Sequence, residues 1–146
     1  MKKVTVQYLP DYNYSQLLTA GQHSFIADEP GEKGGNDLGP GPYELLLWAL
    51  GACTAMTVLM YARRKEWPVD DISVHLTHDR VYMDDMAGTA DGEVVGRVEV
   101  IEREISVRGK LTDEQRDRLL EIADRCPVHR TLISGPKITS SIVVGE

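Results

Sequence analysis

The stretch Pro42-Tyr43-Glu44-Leu45-Leu46-Leu47-Trp48-Ala49-Leu50-Gly51-Ala52-Cys53-Thr54-Ala55-Met56-Thr57 opens a segment that carries no charge from Leu45 to Ala62. Proline suits the first helical position, because its missing N–H would have no partner there and its φ is already helical. Glu44 then falls in the first turn, where a negative charge meets the positive end of the helix dipole. The pattern predicts a helix from Pro42 to about Lys65, ending before Trp67-Pro68 because a residue preceding proline is pushed out of the helical region. The uncharged run touches the lower length limit of a membrane span. Gly51, Cys53, Thr54 and Thr57 dilute its middle, however. A helix apolar on every side equally suits the buried centre of a soluble protein or dimer, and that is the reading taken, with no membrane contact.

Upstream of this helix the chain reads as extended. Val4, Val6 and Tyr8 alternate, Ser15–Ala20 and His23–Ala27 form two further short runs, and Pro10-Asp11 and Gly21 mark the turns. The Pro30–Pro42 stretch, rich in glycine and proline, reads as a loop within one domain. Downstream, Ile72, Val74 and Leu76 alternate as a strand, Asp84–Gly96 with Asp91-Gly92 reads as a hairpin connection, and Val98–Val107 forms a longer strand. The alternation in that last strand slips between Val100 and Ile101, which suggests a bulge.

Thr112-Asp113-Glu114-Gln115 fits a capping box, with Thr112 as cap and Gln115 at the third helical position. Leu119, Ile122, Ala123 and Cys126 follow on one helical face, and Pro127 is expected to end that helix. Ile138–Val144 reads as a final strand. Strands, helix, strands, helix and strand in that order imply an α+β domain over residues 1–146, with sheet packed on a central buried helix.

Composition narrows the function. A chain of 146 residues with 42% hydrophobic and 27% charged residues is long enough to bury a core. A net charge of -7 argues against nucleic acid, whose phosphates require a basic surface. Met1-Lys2-Lys3-Val4-Thr5 is followed by no apolar run of signal-peptide length, so the expected compartment is the cytoplasm, where thiols stay reduced.

Cys53 and Cys126 are the two cysteines. Cys53 lies about three turns into the long helix. Burial there raises a thiol's pKa, and the helix N-terminus is too distant to lower it. A reactive Cys53 therefore needs a cation or strong donor from elsewhere in the fold. Cys126, placed at the last turn of its helix, meets the negative end of the dipole, with Arg125, His129 and Arg130 near enough in sequence to offset it. These positions make Cys53 the better attacking thiol and Cys126 the better resolving one. Cysteines also commonly just fill core space. Both lie on inward faces, so they can meet, though a disulfide needs Cα atoms within about 7 Å.

The segment from Pro42 to Thr57 resembles the central-helix motif of OsmC/Ohr-type proteins. Arg125-Cys126-Pro127-Val128-His129-Arg130-Thr131-Leu132 resembles their second-cysteine motif, and the order of elements agrees over nearly the whole chain. The resemblance implies an OsmC-like fold and an intertwined homodimer with its site at the interface. It further implies reduction of organic hydroperoxides or hydrogen peroxide without metal or other cofactor, in an oxidative stress response. Cys53 would become a sulfenic acid, Cys126 would close a disulfide with it, and a small or protein-bound dithiol would reopen the disulfide. In such a dimer Gly51 and Ala55, one turn apart, would let another backbone approach.

Two departures from the family pattern bear on Cys53. Peroxidases of this family carry an arginine in the N-terminal strands, and this chain has none before Arg63. Their acidic residue directly follows the helix-start proline, where this chain has Tyr43, with Glu44 one place later. One residue turns a helical side chain by about 100°. Tyr43, Glu44, Arg125, His129 and Arg130 are accordingly the supporting candidates. A non-catalytic relative that binds a small apolar ligand or partner at the dimer interface is the alternative. Cys126 and His129 have a spacing seen in zinc sites, but with Cys53 they lack a fourth ligand. His75 and His78 face opposite sides of a strand and share no metal.

Overall fold

A computed structural model describes residues 1–82 and 97–145. The chain divides into two compact units, Met1–Trp48 and Ala49–Glu146. The expected hairpin connection at Asp84–Gly96 lies outside the described residues.

In the first unit, β1 (Thr5–Tyr8), β2 (Gln16–Ala20) and β3 (His23–Ala27) form an antiparallel sheet in the order β1-β2-β3. Tyr8 pairs with Gln16 and Ala20 with His23. Gly21 takes the left-handed conformation (φ 61°) in the tight turn that joins β2 to β3. Beyond β3 the backbone is held by Asp28, whose buried carboxylate accepts from the Ser15 hydroxyl at 2.7 Å and from the Glu29 and Leu38 amides at 2.8 and 3.2 Å. Burial pushes this carboxyl up, but those hydrogen bonds outweigh it and leave it below the usual carboxylate range. The expected loop contains one 3-10 turn, Gly31–Lys33.

Helix α1 (Pro42–Arg64) starts where its proline predicts, and Glu44 accepts from the Gly41 amide at 3.1 Å. The expectation of burial on every side is not met within one chain. The buried residues are Leu50, Gly51, Thr54, Val58 and Ala62, a stripe at three- and four-residue spacing. Trp48, Met56 and Met60 stay 57–61% exposed on other faces. One helix needs apolar neighbours on all sides to bury all of them, and the chain supplies a partner layer for one stripe. By length and composition α1 also qualifies as a membrane span, a test that the core helix of a soluble protein passes too.

In the second unit, β4 (Asp71–Tyr82) pairs antiparallel with β5 (Arg97–Arg108). The register runs unbroken from Asp71↔Arg108 to Tyr82↔Arg97, so the slip at Val100-Ile101 is not a bulge. Both residues are half-buried, which is what blurs the alternation. Helix α2 (Asp113–Ala123) begins with the predicted capping box: Gln115 N–H donates to Thr112 Oγ1 at 3.1 Å, and Thr112 N–H donates to Gln115 Oε1 at 2.9 Å. Val58 and Ala62 of α1 pack on Leu119 and Ala123 of α2, with Ile72, Ile105, Val107 and Leu111 around them. This is the core that fixes α1 against sheet and helix.

Two details differ from the sequence reading. Helix α2 stops at Ala123 and a further helix, α3 (Pro127–Ser134), begins after Cys126. Proline disfavours helical backbone at the residue before it and favours the first position of a new helix, so Pro127 restarts the helix that it ends. Ile138–Val144 pairs with no strand among the described residues, and Ile138, Ile142, Val143 and Val144 are 83–92% exposed. Within its own chain Gly51 meets a side chain, since a Cβ there would lie 2.7 Å from Leu76 Cδ1.

Candidate functional site

Cys53 on α1 and Cys126 before α3 are both free thiols, Cys53 half-buried and Cys126 fully buried. The two thiols lie near enough for each to bear on the other's ionisation. The packing of Val58 on Leu119 and Ala123 makes this possible, because it holds α1 against the end of α2.

Cys126 is the N-cap of α3 and not part of the last turn of α2, which reverses the dipole argument made from sequence. The helix end beside it is the positive one, where unpaired amides point outward. Its sulfur accepts from the His129 amide at 3.4 Å, and the Val128 amide reaches both sulfurs. A single short helix terminus thus serves the two cysteines together.

Their surroundings nevertheless drive them apart. Burial pushes the Cys53 thiol up, but hydrogen bonds from the Cys126 thiol, the Val128 amide and the Thr57 hydroxyl outweigh it and bring it below the ordinary value. Burial pushes the Cys126 thiol up as well, and its hydrogen bond to Cys53 pushes in the same direction, beyond what the His129 and Val128 amides offset. The donor that Cys53 requires comes from α3, from Cys126 and from Thr57 one turn along α1. The result is one sulfur disposed to ionise in contact with one disposed to keep its proton. Of two thiols, the one more readily ionised is the stronger nucleophile, because the thiolate is the reactive form.

Sequence reasoning missed Arg103. It stands on β5 with a side chain only 11% exposed, donating from Nη1 to Thr54 Oγ1 at 3.0 Å and from Nη2 to Asp124 Oδ1 at 2.7 Å. Thr54 donates its own hydroxyl proton to the Leu50 carbonyl at 2.7 Å. The signal was present: Arg103 lies two residues from Ile101 and Ile105 and so shares their inward face, where a charge requires a reason. Arg103, Asp124 and His129 line a cavity of about 430 Å³ whose other walls are apolar, Leu50, Ile101, Leu120, Leu132 and Ile133.

The supporting candidates are placed as follows. His129 gives its amide to Cys126 and its side chain to the cavity. Arg125 and Arg130 are exposed, and neither is among the groups that set the Cys53 thiol. Arg125 acts instead on Tyr61, which lies below its ordinary value chiefly through a hydrogen bond from Arg118. Tyr43 and Glu44 stand at the exposed start of α1 in the first unit, with Glu44 engaged by the Gly41 amide. Among the described residues no group of three or more His, Cys, Asp or Glu side chains is gathered as a metal site.

Comparison with known proteins agrees with this architecture. The OsmC-like protein from Mycoplasma pneumoniae superposes with a TM-score of 0.72 at 21% identity, covering 92% of this chain and 89% of that one. An organic hydroperoxide resistance protein OsmC from Legionella pneumophila gives 0.63 at 16% identity, covering 90% and 88%. The organic hydroperoxide resistance protein OhrB of Bacillus subtilis gives 0.60 at 17% identity, covering 92% of each chain. At these identities the likeness is one of fold, α+β with antiparallel sheets. A comparison with curated proteins by sequence finds no match. The sequence itself matches the family described as OsmC-like protein over residues 34–141, which include both cysteines and most of the chain, and the chain therefore belongs to the OsmC-like family.

Proposed function

We propose that this protein is a thiol-dependent peroxidase in which Cys53 attacks and Cys126 resolves. The observation that carries this reading is the neighbouring pair of free thiols with opposed shifts, Cys53 below and Cys126 above the ordinary value, within the residues that match the OsmC-like family. In the first step the Cys53 thiolate attacks one peroxide oxygen and the O–O bond breaks. The other oxygen leaves as alcohol or water with a proton, and Cys53 becomes a sulfenic acid. In the second step the Cys126 sulfur attacks the Cys53 sulfur, water departs, and a disulfide forms. A dithiol then reduces that disulfide by two exchanges and is itself oxidised. The burial of Cys126 supports this order, since a thiol closed to solvent is reached by its neighbour before it is reached by peroxide.

Homodimer formation belongs to the same proposal. Trp48, Met56 and Met60 recur at four- or eight-residue spacing on α1 and are exposed, and the unpaired tail carries four exposed branched apolar residues. Exposed large apolar residues recurring along one helix support an interaction site there. The test of the function is peroxide consumption by the purified protein with dithiothreitol or dihydrolipoamide. Turnover that persists unchanged in Cys53→Ser would end the proposal.

A second reading has one observation in its favour. The cavity beside Arg103 has apolar walls and a few convergent polar groups, the usual make-up of a small-ligand site. A non-catalytic binder of a small apolar ligand would use that cavity and leave the thiols unchanged on exposure to peroxide.

A further inference from the structure

Arg103 joins the segments that carry the two cysteines. One arm of its guanidinium holds Thr54, the residue next to Cys53, and the other holds Asp124, two residues before Cys126. Thr54 is itself fully buried and locked to the Leu50 carbonyl, so the first arm grips α1 and not a loose side chain. Asp124 is the C-cap of α2, where the chain turns toward Cys126. β5 supplies the fixed base, since its pairing with β4 runs unbroken past Arg103, which faces Leu76 in the register. Arginine fits this work because its planar fork holds two acceptors at a set angle, which a single ammonium does not. The long side chain is nearly buried between them, so little of its freedom remains.

We infer that Arg103 is a positioning residue that clasps the Cys53 and Cys126 segments together and so raises the effective concentration of one thiol for the other. The inference rests on the disulfide chemistry proposed above. In the step concerned, the Cys126 sulfur displaces water from the Cys53 sulfenic acid. In a separate step a dithiol reopens the S–S bond to two thiols and is itself oxidised to a disulfide. Arg103 is hydrogen-bonded to neither sulfur. It acts on how often the two are in reach, an intramolecular advantage that falls once one segment is released.

The equilibrium between the reduced and disulfide forms, measured in dithiothreitol buffers on the full chain, tests this without any peroxide. For Arg103→Met the disulfide equilibrium constant is expected to fall about tenfold, a potential less negative by roughly 30 mV for a two-electron couple. Arg103→Lys should resemble Arg103→Met, because the charge is kept and the fork is lost. Thr54→Val and Asp124→Asn each cut one arm and should give a smaller shift of the same sign. A purely structural role would lower the melting temperature of the reduced and oxidised forms alike and leave the equilibrium where it was. That result, an equilibrium constant within twofold of wild type in Arg103→Met, would overturn the clasp. Should Arg103→Met fail to fold, unchanged equilibria in both single-arm variants would overturn it equally. Wild-type protein that forms no intramolecular disulfide at all would overturn the thiol pair itself.

Discussion

The two cysteine-bearing segments are opposites in structure. Cys53 lies mid-way in a helix of 23 residues, where every nearby amide is already committed to the helix. Cys126 lies at the very start of a helix of 8 residues, where amides are free to bond a sulfur. Position alone would make Cys126 the ionised one. The structure reverses that order because α3 lends its Val128 amide to Cys53 as well, while Cys126 is fully buried and donates its own proton to its neighbour. The opposed shifts belong to the pair, and neither helix explains them separately.

Removing either sulfur should therefore break the symmetry in different ways. Cys53→Ser is expected to lower peroxide turnover by at least about 10³-fold, as loss of a nucleophile does. Cys126→Ser should keep the first, single-turnover reaction with peroxide and lose dithiol-driven recycling; steady-state and stopped-flow peroxide assays separate the two. Cys126→Ala, which unlike the serine variant leaves no donor at that position, should raise the Cys53 thiol toward its ordinary value or beyond, because the first of the hydrogen bonds that offset its burial is gone.

Leu119→Ala sharpens the structural half of the comparison. Leu119 is 2% exposed and packs on Val58 and Ala62, and its truncation should cost about 3 kcal/mol in chemical denaturation. The loss should be similar in reduced and oxidised protein, since the core that it opens lies beneath both states. Thr57→Val is the milder test. It removes one hydroxyl donor from the Cys53 sulfur and should slow the first turnover several-fold at neutral pH, on the order of one hydrogen bond to an ionised group.

The smallest effect is on stability against pH. Cys53 has a lowered folded-state value, so its ionisation stabilises the reduced fold above the unfolded thiol value, and that contribution disappears as pH falls through the folded one. Cys126 has a raised value, so its contribution is complete below the unfolded thiol value and is lost as pH rises through the folded one. Reduced wild-type protein should accordingly gain slightly in melting temperature on approach to the free-thiol range near 8.5 and lose above it. Cys53→Ser should keep the loss and lack the gain.

Much of this was legible in the sequence, and what was not has physical causes. Pro42 and the Thr112–Gln115 capping box located two helix starts because both are local devices, settled by residues within one turn. The directions of the two thiol shifts agree with the sequence reading, which took Cys53 as the more readily ionised, but its argument for Cys126 used the wrong helix end, since Pro127 starts a helix as well as ending one. The donors to Cys53 were invisible because Val128 lies 75 positions away in the chain and acts through its backbone, which no side-chain pattern records. Arg103 was overlooked for another reason. It stands between Glu102 and Glu104, and three charges in a row mask the alternation that turns Arg103 inward. The segment from Ile138 to Val144 has the composition of a strand but pairs with none of the described residues, and sequence pattern does not say which edge a strand will use.

The central claim is that Cys53 is the attacking thiol and Cys126 its resolving partner. Its most direct test treats reduced protein with one equivalent of peroxide in the presence of a dimedone-type sulfenic acid trap, followed by mass-spectrometric mapping of the label. The account predicts label on Cys53, increased in Cys126→Ser where no disulfide competes for the sulfenic acid. Label on Cys126, or none on either cysteine while peroxide is consumed, would contradict it.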